Sequence, residues 1–253
     1  MERLSGLDAT FLYLETPTLH MHVALTAVLD PATMPEPYSF EGIKEFLASR
    51  IHLVPPFRRR LVEVPFKLNH PVWVDDPDFD LDHHVRRIGA PSPGGRRELG
   101  AVTGQIASTQ LDRRRPLWEL WVVEGLEHGQ VALVAKVHHS AVDGTTGAEL
   151  MANLFDLEPA AAPPPPAEER GRERVPTDAE LVAHATASRL RRPLRILPLA
   201  GKTVGSVVDL VRARLDPDRP SGGTPLTAPA TPFNASISSR RNVAFSCLRL
   251  SDV

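Results

Sequence analysis

The feature that most constrains this chain is the run HHSAVDG at residues 138–144, together with what stands on either side of it. Residues 131–137 are rich in β-branched side chains and almost continuously apolar, which is typical of a strand buried on both faces. After the run, Thr146 and Glu149 have the spacing of a helix capping box. The pattern predicts a strand that ends at a histidine pair and leads through a loop into a helix.

A junction of this kind suits a general base, because two rigid elements fix the imidazole while the loop exposes it. An imidazole is also largely neutral at neutral pH, so it can take up a proton in a transition state. The shape of the motif alone is equally compatible with a purely structural role for both histidines. A metal site built from His138, His139 and Asp143 is disfavoured, because adjacent residues of an extended segment point in different directions. We therefore predict no metal.

Two further segments accompany the motif. Residues 4–17 read LSGLDATFLYLETP, and the tripeptide PLW at 116–118 precedes EGL at 124–126. With HHSAVDG, and in this order, they resemble the bacterial wax ester synthase/diacylglycerol acyltransferase family, whose HHxxxDG motif is that of the CoA-dependent acyltransferase superfamily. The resemblance extends over the whole chain but covers only the N-terminal half of the usual family member, because the Asn-Asp motif of the second domain has no match here.

The resemblance implies an α/β fold of the mixed α+β kind, a chloramphenicol-acetyltransferase-like half in which a mixed β-sheet is flanked by helices. It implies an acyl-CoA-dependent O-acyltransferase that forms triacylglycerol from diacylglycerol and long-chain acyl-CoA, or wax esters from a fatty alcohol. Acyl-CoA is then a co-substrate, no cofactor is bound, and the CoA-binding residues are not identified. The alternative is a catalytically incompetent lipid-binding half that pairs with a separately encoded C-terminal half. An acyltransferase of polyketide or peptide assembly is disfavoured by the N-terminal and PLW segments.

The resemblance also assigns roles within the motif. His139 is the general base that removes a proton from the acceptor hydroxyl, and His138 supports it by orienting the loop or shaping the tunnel. Asp143 anchors the loop by pairing with an arginine that the sequence does not identify. Gly144 provides the close turn into the helix. Ser140 is a loop residue, because no GxSxG pattern surrounds it.

Composition narrows the class of protein. The net charge of -2, from 29 basic and 31 acidic residues, argues against nucleic acid as a partner. A single cysteine, Cys247, cannot form an internal disulfide. No signal peptide or membrane-spanning run is evident, so we expect a cytoplasmic protein with peripheral contact to a membrane or lipid droplet. Arginine clusters at 58–60, 113–115 and 189–195 are predicted to be solvated, and so is the acidic loop around His83 and His84.

The pattern along the chain suggests four parts. Residues 1–157 form an N-terminal acyltransferase domain with the HHxxxDG motif, 158–178 a Pro/Ala-rich linker, 179–232 a helical segment and connector, and 233–253 a crossover strand towards a missing C-terminal domain. Strands are predicted at 19–29, 118–125 and 130–137, the last two antiparallel, and helices at 43–54, 99–107, 179–192 and 204–215. His20 and His22 share one strand face and are interpreted as structural.

Overall fold

The computed structural model describes residues 1–142, 153–155, 174–190, 231–232, 235–247 and 249, without the side chains of 189 and 190. The chain divides into a larger unit, residues 1–63, 70–175 and 237–253, and a smaller one, residues 64–69 and 176–236. Most of the predicted linker, the predicted helix at 204–215 and the arginines beyond 190 lie outside the described residues. The four-part domain organisation therefore stays a prediction.

A four-stranded mixed sheet forms the centre of the larger unit. Its strands are β2 (His22–Leu29), β5 (Val85–Gly89), β6 (Trp118–Glu124) and β7 (Val131–His138), in the order β2-β7-β6-β5. β7 is antiparallel to both of its neighbours, and β5 is parallel to β6. The predicted pairing of β6 with β7 is confirmed, and β7 is buried because it has a strand on each side and a packed cluster on each face.

Three further short strands, four α-helices and several 3-10 turns lie in the described residues. The strands β1 (Glu2–Arg3), β3 (Arg59–Val62) and β4 (Val72–Asp75) form an antiparallel sheet in the order β1-β4-β3. The helices are α1 (Gly6–Leu14), α2 (Phe40–Arg50), α3 (Arg96–Ala107) and α4 (Asp178–Leu190). The predicted class, a mixed α/β fold with a mixed sheet flanked by helices, is confirmed.

The two faces of the central sheet bury different clusters. Successive side chains of a strand point to opposite faces, so Leu133 and Val134 of β7 enter different parts of the core. Leu133 packs with Leu47 of α2 and with Phe57, whereas Val134 packs with Val102 of α3. The α3 face matters for the site, because the C-terminal end of α3 lies beside the end of β7 where the histidines stand.

The crossover strand predicted at residues 233–253 stays a prediction, like the rest of the four-part organisation. No strand is found in residues 235–247 of the described chain. This segment instead crosses α3 at two glycines, where an added Cβ would come within 2.4 Å of Val243 O at Gly100 and 2.5 Å of Arg241 O at Gly104. The Arg241 backbone N–H donates to Ser108 Oγ at 2.7 Å. Within residues 235–247, the alternating segment is therefore an extended backbone that packs on a helix.

The smaller unit contains a tight turn at residues 64–67. The Lys67 N–H donates to Val64 O at 3.1 Å, and Phe66 has φ 56° and ψ 16°. A side chain in this left-handed region costs on the order of 1–2 kcal/mol, because its Cβ crowds the following carbonyl. The turn contacts α4, where Leu181 and Ala185 are buried. Within the described residues, no helix combines the length and apolar character that crossing a membrane requires.

Candidate active site

The histidine pair stands where the sequence predicts it. β7 ends at His138, and a single 3-10 turn over His139–Ala141 follows. Asp143 and Gly144, the predicted loop anchor and turn, lie outside the described residues, as do Thr146 and Glu149 of the predicted helix cap. In the part of the chain that is described, no three His, Cys, Asp or Glu side chains are placed to share a metal ion. Because Asp143 belongs to the metal alternative, the absence of a metal stays a prediction.

His139 is held by its backbone and by one aromatic ring. Its N–H donates to Met21 O at 2.8 Å. Its imidazole stacks on Phe11 of α1, with ring centroids 4.0 Å apart and planes 16° from parallel. The ring is half-buried, and its Nδ1 is buried without a hydrogen-bond partner among the described residues. α1 thus fixes the plane of the imidazole, and Phe11 is a site residue that the sequence does not predict.

His138 is 1% exposed and faces the interior. Its Nδ1 accepts the Ser140 N–H at 3.1 Å and lies 2.7 Å from Ser140 Oγ. Since Nδ1 accepts these bonds, the hydrogen-bond network assigns the proton of the neutral ring to Nε2. Burial lowers the pKa of His138 to about 4, and the guanidinium of Arg113 acts in the same direction. His138 is therefore neutral at neutral pH and holds the loop through Ser140.

A buried carboxylate lies next to this histidine. The Glu15 side chain is 4% exposed, and its Oε2 accepts from Arg113 Nε at 2.9 Å and from Nη2 at 2.5 Å. Arg113 Nη2 also donates to Leu12 O at 2.7 Å. The distance from Glu15 Oε2 to His138 Nε2 is 3.8 Å, and a neutral imidazole forms no ion pair, so the carboxylate charge is matched by Arg113. The sequence alone does not predict that Glu15 belongs to the site.

The expectation that the arginine clusters are solvated is wrong for several members. Arg113 holds Glu15, and Arg59 bridges Glu2 and Asp75 at 2.9 and 3.0 Å. Arg60 lies 3.7 Å from Asp76. These arginines pair with carboxylates that are distant in sequence, which composition alone does not reveal. Arg114 extends into solvent beside Asp112, as predicted.

The loop predicted around His83 and His84 divides into two environments. His83 is exposed, as expected, and lies 3.6 Å from Asp80. His84 is buried, which contradicts the prediction, because its ring stacks on Trp118 with centroids 4.6 Å apart and its Nδ1 donates to Trp118 O at 2.8 Å. Burial lowers the pKa of His84. Trp118 is a core residue, as the sequence predicts.

Two polar side chains, Lys136 and His22, cap the C-terminal end of α3. Lys136 of β7 is fully buried, and its Nζ donates to Ile106 O at 3.2 Å and Thr109 O at 2.9 Å and lies 3.0 Å from Glu119 Oε2. Burial lowers the pKa of Lys136, although Glu119 opposes this. His22 Nε2 donates to Ala107 O at 3.0 Å, and His22 lies opposite His138 across the sheet. The structural interpretation of His22 fits this geometry.

We expect the half-buried His22 and the buried His138 to make folding stability depend on pH. Burial lowers the pKa of both His22 and His138 from 6.5 to about 4. Below pH 6.5 the unfolded chain therefore takes up protons that the folded chain does not, so stability is complete above that pH and falls as the pH drops towards 4. At pH 5 the free energy of unfolding is reduced by up to about 2 kcal/mol per histidine.

Urea unfolding at pH 7.5 and at pH 5 measures this effect. His22→Gln should reduce the difference between the two pH values, while replacement of the exposed His128 should leave it unchanged. Equal free energies of unfolding of the wild type at both pH values would contradict the assignment of His22 and His138 as neutral rings.

The fold and the site together define a class: a mixed α/β domain that presents a histidine pair where a buried central strand ends. A family model described as "Wax ester synthase/diacylglycerol acyltransferase catalytic domain" matches residues 4–253, and the chain belongs to this family. The resemblance noted from the sequence is therefore confirmed.

Curated relatives and a solved structure agree with this membership. "Putative diacyglycerol O-acyltransferase Rv1760" of Mycobacterium tuberculosis is 42% identical over 255 residues, which are 100% of this chain and 50% of that protein. "Probable diacyglycerol O-acyltransferase tgs3" of the same organism is 35% identical over 98% of this chain and 92% of its own length. The wax ester synthase/diacylglycerol acyltransferase from Marinobacter aquaeolei VT8 is 33% identical, with TM-score 0.52, over 66% of this chain and 41% of that one. The chain thus spans about half of the first relative and nearly all of the second.

Proposed function

We propose that this protein transfers an acyl group from long-chain acyl-CoA to the hydroxyl of diacylglycerol or of a fatty alcohol, with His139 as the general base. The observation that carries the proposal is the setting of His139. The ring stands at the end of a rigid strand, is half-buried, and is held in plane by Phe11 at 4.0 Å. Because Nδ1 is buried, Nε2 is the nitrogen proposed to accept the proton of the substrate.

In the proposed reaction, His139 Nε2 takes the proton of the acceptor hydroxyl as its oxygen attacks the thioester carbonyl carbon. The bond between this carbon and sulfur then breaks, and the leaving thiolate takes the proton back from the imidazolium. The products are an ester and free CoA, so protons and electrons balance without a further cofactor. No acyl-enzyme is formed, because the substrate supplies the nucleophile.

The neighbouring groups position the base in this proposal. His138 holds the turn through Ser140, and Arg113 and Glu15 fill the space behind His138 with a matched charge pair. Asp143 is proposed to anchor the loop and Gly144 to turn the chain into the next helix. We also propose that the protein is cytoplasmic and makes peripheral contact with a membrane or lipid droplet.

We expect Glu15→Gln to reduce kcat roughly tenfold and to leave KM nearly unchanged. The substitution keeps the shape of the side chain but removes the charge that holds Arg113, so the surroundings of His138 loosen while the substrate surface stays intact. Steady-state kinetics measure the split between kcat and KM. Asp112→Asn is the matched control, because Asp112 pairs with the exposed Arg114 on the same loop and should leave kcat unchanged. An increase in KM alone would contradict a positioning role.

The proposed function is tested by assaying the purified chain with a long-chain acyl-CoA and either diacylglycerol or hexadecanol, with separation of the ester by thin-layer chromatography. The same assay is repeated with the separately expressed C-terminal half of a longer relative. We expect ester formation, and the acceptor that reacts identifies the substrate class. Activity only in the mixture would favour the alternative, in which this chain is inactive alone and pairs with a separately encoded C-terminal half. Ester formation in neither case would refute the proposed acyl transfer.

A further inference from the structure

The turn at residues 64–67 holds an aromatic ring in solvent. The backbone of that residue has a positive φ, which is unfavourable for a residue with a side chain. Phe66 is 89% exposed and has φ 56°. It is the third residue of a turn closed by the Lys67 N–H and Val64 O, a position where positive φ is usually met by glycine or asparagine. The ring packs into none of the described apolar clusters. The backbone cost is therefore not offset by packing of the side chain.

The outward direction of the ring is set by the anchored ends of the turn. Val64 is buried, and the Leu68 N–H donates to Pro65 O at 3.2 Å. Asn69 Nδ2 donates to Ser188 Oγ of α4 at 2.9 Å. Both ends of the turn are thus tied down while Phe66 and Lys67 remain exposed. Backbone strain retained at an exposed, anchored tip indicates a role for the side chain.

We propose that Phe66 and Lys67 form a lipid anchor, in which the ring enters the interfacial region of a lipid surface and the ammonium group remains at the headgroups. An exposed aromatic ring beside a long cationic side chain suits this boundary, where apolar and wet surroundings meet. The choice of a lipid surface rests on the proposed function, because diacylglycerol, fatty alcohols and their esters must be reached where lipids assemble. Glu63 is exposed just before the turn, so the ring contributes most of the attraction.

The test measures binding of the whole chain to vesicles of phosphatidylcholine with phosphatidylglycerol, without acyl-CoA or an acceptor. Phe66→Asn should lower the partition into vesicles about tenfold, since one ring no longer leaves water. Asparagine tolerates positive φ, so the melting temperature should stay the same or rise. Lys67→Gln should weaken binding only to vesicles that contain phosphatidylglycerol. Ile237→Asn, at a residue 49% exposed elsewhere, is the control and should not change the partition.

Phe66→Trp provides an independent measurement. Its added tryptophan emission should shift to the blue with vesicles and be quenched by brominated lipid, beyond any change of the three native tryptophans. Unchanged partition of Phe66→Asn would overturn the anchor. So would a wild-type dimer that Phe66→Asn converts to monomers, because the ring would then bind protein. Vesicle binding that depends on Phe66 in a chain without acyl transfer would leave the anchor standing and refute only the proposed function.

Discussion

Replacing His139 with alanine should slow ester formation by roughly 10²–10⁴-fold, the range lost when a general base is removed. The imidazole stands at the end of β7 with its Nδ1 buried, so the variant loses the Nε2 that is proposed to take the hydroxyl proton. The fold should persist, because the ring is half-buried and its backbone bond to Met21 does not depend on the side chain. Initial rates at saturating acyl-CoA provide the measurement.

Two controls distinguish a chemical role from a structural one. His83→Ala removes an exposed histidine outside the site and should leave the rate unchanged. Phe11→Leu keeps an apolar contact but not the stacked ring, so its rate should fall between those of the wild type and His139→Ala. A folded His139→Ala variant with wild-type turnover would remove this residue from the mechanism.

Lys136→Met should destabilise the protein by roughly 3–5 kcal/mol, because it removes one member of a buried ion pair. Glu119 would lose its cationic partner and keep only the Trp121 N–H, and the carbonyls of Ile106 and Thr109 would lose a donor. Urea unfolding measures the change in the free energy of unfolding. The double variant Lys136→Met/Glu119→Gln should recover part of the loss, since no unpaired charge remains.

The matched comparison uses another lysine. Lys44 pairs with Asp82 at the surface, and Lys44→Met should change stability by less than about 1 kcal/mol. An equally small effect of Lys136→Met would mean that the buried ammonium contributes little to holding α3 against the sheet.

The sequence predicts those parts of the site that depend on local pattern. An apolar run bounded by turns predicts β7, and the histidine pair follows it directly, so the position of His139 at the end of a strand follows from neighbouring residues alone. The roles of Phe11, Glu15 and Arg113 do not, because they arise from contacts across about a hundred residues of sequence. Of these, Phe11 and Glu15 lie within the N-terminal segment that carries the family resemblance, which is the only signal in the sequence that points to them.

Two departures from the local sequence pattern have a common physical origin. His84 lies among aspartates, which suggests a solvated loop, yet its ring stacks on Trp118. Residues 243–247 alternate like a strand, yet in the described chain the backbone of Arg241, Val243 and Ala244 lies on the glycines of α3. In both cases the local composition does not determine what packs against the segment, because this is decided by partners far away in sequence.

The contact between α3 and residues 241–245 has a consequence for the order of events during protein synthesis. Gly100 and Gly104 are made early, but the backbone that covers them, and Phe245 which joins the α3 cluster, are made about 140 residues later. A ribosome-bound chain that stops short of Arg241 therefore leaves one side of this helix open to water and to chaperones. His22 and Lys136, which contact the end of α3 beside the histidine pair, then rest on a helix that is covered on one side only.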